Sequence, residues 1–302
     1  MILCANSYWE DVRGAETSAE VLKKSGLDFE VLQEPIFDGL GYQIDGFCNN
    51  YKITGDRHQS LGIVSEKYKI CQNADAFAFI DGLIGEKAQY ANAGACKNYK
   101  VNWIQVRLQP RNIMGDDYNN YLFFKNSFDG GSSVKVCVTP VRIACSNMLN
   151  LAIHRAQRVF SIRHTGDIAG KIREADMTLK LSEEYLTEVQ EDYVRLARIK
   201  FTPQQVNSFW EQLFPIEKDA SVTTRNNAER KRDQVRTAYN ANDLGNYRGT
   251  AFGVVNAVSN IVSPNNAQPL RMTDSYFGNL FEKVTNGHPL LDKAYELVTA
   301  KA

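Results

Sequence analysis

Arg142, Cys145 and Asn147 stand close together where an extended apolar run gives way to a helical pattern. An arginine at such a junction would hold an anion beside the unpaired N–H groups of a helix N-terminus. A cysteine there would have a lowered pKa and act as a nucleophile. The structural alternative makes Asn147 a helix cap, Cys145 a core filler and Arg142 half of an ion pair; it is preferred for Cys145 and left open for Arg142. Asp129-Gly130-Gly131 offers a carboxylate on a short loop, but Asp-Gly between two alternating runs is first of all a hairpin turn. His58, His154, His164 and His288 have no metal-ligand spacing. The phosphate-loop, HExxH and GxSxG patterns are absent, so no metal and no cofactor is expected.

Charge placement is the stronger signal. Residues 87–166 carry eleven basic side chains: Lys87, Lys97, Lys100, Arg107, Arg111, Lys125, Lys135, Arg142, Arg155, Arg158 and Arg163. Only Asp116, Asp117 and Asp129 oppose them, in a chain whose Lys+Arg and Asp+Glu totals are both 35. One segment is therefore strongly basic and the remainder acidic. Tyr90, Tyr99, Trp103, Tyr118, Tyr121, Phe123, Phe124 and Phe128 are interleaved with the bases. Single-stranded nucleic acid needs rings for its bases and cations for its phosphates. The candidate phosphate contacts are Lys97, Lys100, Arg107, Arg111, Lys125, Lys135, Arg142, Arg155, Arg158 and Arg163, and the candidate stacking rings are Tyr99, Trp103 and Tyr121. Strand side chains alternate between faces, so about half of these should face away from any one ligand. The competing reading places the aromatics in the core and the bases in solvent.

The elements that would position these residues read as α+β: a strand-rich, mostly antiparallel N-terminal half followed by a predominantly helical C-terminal half. The boundary is placed at Thr165, giving a basic domain over 1–165 and a helical domain over 166–302. Ala15 to Lys24 reads as a helix stopped by Gly26. Alternation predicts strands near 28–32, 62–71, 99–108 and 118–128, the last joined through Asp129-Gly130 to Val134–Val138. Asn73 is a candidate cap for a short helix through Ile80. From 170 to 200, Ile172, Leu179, Leu186 and Tyr193 repeat every seven residues, with Ala175, Ser182, Val189 and Leu196 as a second seam. Such a stripe packs on its own domain in the preferred reading, or contacts another subunit. Thr202-Pro203 starts a helix, and shorter helices are expected near 221–240, 249–263 and 288–299. The basic run Arg225 to Arg236 reads as a solvated helix face.

The six cysteines form no CxxC pair and read as reduced thiols. No run approaches the roughly 18 apolar residues of a membrane span, and the first residues lack the pattern of a secretion signal. The expectation is a cytoplasmic protein with no membrane partner.

Several clusters together resemble the phage/plasmid-like family, a domain of unknown function found in phages, prophages and conjugative plasmids. They are Leu61-Gly62-Ile63-Val64 with Tyr68, Gln72-Asn73 with Ala76-Phe77, Tyr121 to Gly130, Thr139 to Asn150, and Gly249-Thr250-Ala251-Phe252-Gly253 with Asn256-Ala257-Val258. The motif residues carried over are Gln72, Asn73, Asp129, Gly130, Arg142, Cys145 and Asn147. Where that family usually shows His-Asp-Gly, this chain has Phe128-Asp129-Gly130, which removes a loop histidine from any acid–base role. The resemblance implies a mobile-element protein in a bacterial host cell and no established activity. The leading expectation is an accessory protein that binds nucleic acid, chiefly single-stranded DNA, in replication or recombination, by annealing or protecting strands as a homo-oligomer. Two alternatives stand beside it: a counter-defence protein that binds a host protein, and a nucleotide- or nucleic-acid-processing enzyme centred on Asp129, Arg142 and Asn147.

Overall fold

The computed structural model describes residues 8–54, 57–130, 135–142, 159–161, 168–262 and 288–300. The strand-rich part holds β1 (Tyr8–Asp11), α1 (Ser18–Lys24), β2 (Val31–Phe37), β3 (Gln43–Thr54), β4 (Arg57–Ser65), α2 (Asn73–Phe77), β5 (Ala88–Cys96), β6 (Val101–Leu108), β7 (Arg111–Ile113), β8 (Asp116–Ser127), β9 (Lys135–Arg142) and β10 (Val159–Ser161). The helical part holds α3 (Ile168–Arg198), α4 (Pro203–Leu213), α5 (Val222–Tyr239), α6 (Ala251–Val262) and α7 (Pro289–Thr299). The fold is α+β with antiparallel strands and a helical C-terminal half, as the alternation and periodicity predict.

The strands form two sheets. The larger has seven strands in the order β1-β5-β6-β8-β9-β10, with β7 paired to β8; the smaller is β2-β3-β4. The expected hairpin joins β8 to β9, with Leu122 opposite Val138 and Lys125 opposite Lys135. On one face of the larger sheet Ile104, Phe124 and Val136 lie in one cross-strand row and Val106, Leu122 and Val138 in the next. All six are fully buried, covered in part by the short helices after Gln72, where Phe79 meets Phe124 edge-on at 5.5 Å.

The seven-residue stripe of α3 turns into this same core. Leu186, Val189, Tyr193 and Leu196 are buried. Tyr193 lies 5.7 Å from the Tyr118 ring of the sheet and 5.3 Å from Phe252 of α6. Intramolecular packing thus uses the stripe from Leu186 to Leu196, and one apolar core runs from Val12 to Val298 across both halves of the chain. Ser182, the polar interruption, is buried and donates to the Thr178 carbonyl at 2.6 Å. At α4, Thr202 and Gln205 form a reciprocal capping box with Pro203 in the first turn. The helix after Gln72 has Gln72, not Asn73, at its cap position, without a side-chain cap bond. The reason is that Asn73 is buried and spends its amide on Leu27 and Asn126.

Candidate nucleic-acid interface

The register of the larger sheet sorts the basic and aromatic candidates. Trp103 pairs with Lys125 and Arg107 with Tyr121 across β6 and β8; Lys125 pairs with Lys135 and Tyr121 with Thr139 across β8 and β9. Trp103, Arg107, Tyr121, Lys125 and Lys135 therefore share the face opposite the helix-covered core. β5, β6, β9 and the Asn119–Ser127 part of β8 contribute no carboxylate to that face. Arg107 is exposed and donates to Asn119 Oδ1 at 3.0 Å; Tyr121, Lys125 and Lys135 are half-buried. The middle of the face is closed: Phe123, Cys137 and Thr139 are buried.

Trp103 is only 6% exposed and sits 6.0 Å from the Phe123 ring. Its ring faces are not open to a base, contrary to the expected stacking role. Among the described residues its buried Nε1 has no hydrogen-bond partner.

The turn from β5 to β6 displays Lys97, exposed, and Lys100, half-buried. Lys97, Asn98 and Tyr99 have φ of 53°, 55° and 66°, a left-handed run that is strained for non-glycine residues. Side chains hold it: Gln59 Nε2 donates to the Asn98 carbonyl at 2.9 Å and Asn102 Nδ2 to the Tyr99 carbonyl at 3.1 Å. Tyr99 is already engaged. The Lys52 ammonium lies 3.1 Å from its ring centroid, and Phe29 meets it edge-on at 5.7 Å. Lys52 is buried, which lowers its pKa; the ring quadrupoles of Tyr99 and Phe29 give its charge partial compensation.

Arg111 does not join this set. It pairs with Glu183 of α3 and donates to Thr187 Oγ1 at 3.4 Å, so its charge ties the sheet to the long helix. Tyr90, Tyr118, Phe124 and Phe128 are core residues. The backbone of Arg142 pairs with Tyr118; Cys145, Asn147, Arg155, Arg158 and Arg163 lie outside the described residues.

The shared-motif residues build a joint. Gln72 bonds both backbone groups of Val31, at 3.0 and 2.8 Å. Asn73 donates to the Leu27 carbonyl and accepts from Asn126, both at 3.0 Å, while Asn126 also reaches the Cys71 carbonyl. Asn50 Nδ2 donates to the Phe128 carbonyl at 2.8 Å, and Tyr68 Oη to that of Ser127 at 2.9 Å. A Cβ on Gly62 would come within 2.7 Å of Asp129 Cα, so the small sheet rests directly on the β8–β9 hairpin. Gly130 takes the left-handed φ of 80° that the turn requires. This joint fastens β2-β3-β4 to the end of the larger sheet. Burial raises the pKa of Cys71 beside it to about 11, which suits a structural thiol and not a nucleophile.

Two features escaped the reading of the residues. The β2-β3-β4 sheet is an arm that holds seven of the nine exposed large apolar side chains among the described residues. A groove of about 600 Å³ opens between α5 and the start of α7. Among the described residues no group of His, Cys, Asp and Glu is placed to hold a metal ion, and no helix is long and apolar enough to cross a membrane.

A family model described as a domain of unknown function, DUF932, matches residues 60–276. No curated protein and no solved structure matches the chain significantly.

Proposed function

The chain belongs to this DUF932 family of unknown function, and on the chain's own geometry we propose that it binds single-stranded nucleic acid, foremost single-stranded DNA, along the cationic rim of the sheet face opposite the helix-covered core. The observation that carries the reading is the placement of Arg107, Lys125 and Lys135 on one face, continued by Lys97 and Lys100 at the adjoining turn. From Lys100 to Arg107 the strand extends for roughly 23 Å at about 3.3 Å per residue, long enough for several phosphates. Tyr121, half-buried beside Arg107, is the ring left to stack on a base. In this role the protein would be a phage or plasmid accessory factor acting on single strands in the host cytoplasm during replication or recombination, by annealing or protecting them. The resemblance to mobile-element proteins supports that setting.

The test compares fluorescence-anisotropy binding of a labelled oligonucleotide by three proteins. Lys125→Ala/Lys135→Ala is expected to weaken binding at low salt by about a hundredfold or more, since each of the two lost charge-assisted contacts is worth about 1.5–3 kcal/mol. Arg230→Ala/Arg236→Ala, on the solvated face of α5, is expected to bind like the unaltered chain. Equal weakening by both pairs would mean nonspecific charge attraction and would defeat the proposal.

A further inference from the structure

The tip of the arm is built to hold apolar side chains in water. Phe37, Leu40, Tyr42, Ile44 and Phe47 are all exposed, Leu40 at 84% and Tyr42 at 71%. The loop is fixed, not loose: the Asp38 carboxylate accepts from the backbone N–H of Leu40 and of Tyr42 at 2.8 and 2.9 Å. Glu66 reaches across from beyond β4 to the Gly46 N–H at 2.8 Å. Gly41 and Gly46 supply the left-handed φ of 89° and 84° that these bends need. A rigid display of this kind loses little entropy when it enters a partner's cleft. Its charge has one sign: from Gly26 to Tyr51 there are five carboxylates and no Lys, Arg or His. An acidic tip of this kind repels nucleic acid.

The helical half carries the complement. The groove between α5 and α7 has a floor of Leu213, Phe214 and Leu290, a rim of Lys231, Lys293 and His288, and no carboxylate among the residues that line it. Lys231 lies 6.0 Å from the Phe214 ring centroid, and Lys293 donates to the Leu213 carbonyl at 3.1 Å. At about 600 Å³ the groove has room for the Leu40 and Tyr42 side chains and the turn between them. An apolar floor with a cationic rim fits an apolar tip flanked by Asp38 and Asp45.

We infer that the arm tip of one copy docks in the α5–α7 groove of a second copy. The surfaces differ, so the contact is heterologous: each subunit keeps a spare arm and a spare groove, and the assembly grows into a ring if the rotation closes or a filament if it does not. The inference does not depend on nucleic-acid binding, since neither surface contains a residue of the basic sheet face.

Sedimentation velocity over a concentration and salt series tests it. The full chain is expected to form oligomers that dissociate on dilution and in high salt. Leu40→Ser/Tyr42→Ser (arm lost) and Lys231→Glu/Lys293→Glu (groove lost) are each expected to be monomeric, with unchanged far-UV circular dichroism. Mixed together they should give a one-to-one dimer and nothing larger, because one intact arm then meets one intact groove. The exposed charge pair is a second check that leaves the apolar residues in place. Asp45→Lys and Lys231→Glu should each weaken assembly, and Asp45→Lys/Lys231→Glu in one chain should restore it. A chain that stays monomeric at every concentration, assembly untouched by either double variant, or a mixture that fails to pair would each overturn the inference. In the monomeric case the arm would be left to a protein of the host.

Discussion

Gly62 shows how one residue type fixes a joint. Its missing Cβ is the space that Asp129 Cα occupies, and a backbone atom cannot rotate aside. Gly62→Ala should therefore cost about 1–3 kcal/mol through overpacking, read as a lower urea midpoint at unchanged slope. In the helical half, Tyr295 on α7 is buried; it donates to Asp192 of α3 and accepts from Arg195 at 3.2 Å. Burial, then the Asp192 carboxylate, push its pKa up to about 12. The folded chain thus holds that proton where the unfolded chain, near 10, has lost it. Stability from this group is complete below pH 10 and declines as pH rises from 10 through about 12. Tyr295→Phe should remove that decline from an alkaline denaturation series. At neutral pH it should cost about 1–3 kcal/mol by leaving Asp192 short of a donor.

At the scale of elements, α3 is the brace between the sheet and the other helices, through Tyr193 and the Arg111–Glu183 pair. Leu186→Ala, at a fully enclosed stripe position, should lower stability by about 2–5 kcal/mol in the same urea assay. The stripe, the β8–β9 hairpin and the Thr202 cap were legible in the sequence because each is written in local periodicity or turn chemistry. The site was legible only in part. Alternation announced that one face would hold about half of the candidates, but which face is buried depends on where the helices pack, and that is nonlocal. Trp103 shows the limit: its cationic neighbours suggested an open ring, while in the fold it is buried beside Phe123. Arg111 looked like a phosphate contact until the fold brought it to Glu183, 72 residues away. The arm was missed because the alternation of its long strand β3 is interrupted at Asp45-Gly46 and Asn49-Asn50, and nothing local says that the tip stays uncovered.

For the whole molecule, net neutrality conceals an uneven distribution of charge: a basic sheet face, an acidic apolar arm tip and a cationic groove, joined through one core. In the proposed role the sheet face tracks phosphates. Each neutralised phosphate on a single strand contributes about −0.7 to the slope of log affinity against log salt. Contacts from Lys97, Lys100, Arg107, Lys125 and Lys135 would then give a slope of about −3.5, and Lys125→Ala/Lys135→Ala should flatten it by about 1.4. The most direct measurement is an anisotropy titration of labelled single-stranded and duplex DNA with the full chain over a salt series. Single-strand binding is expected to be tighter than duplex binding, with that slope and that flattening. Absence of single-strand binding at low salt, or a slope that the double variant leaves unchanged, would contradict it.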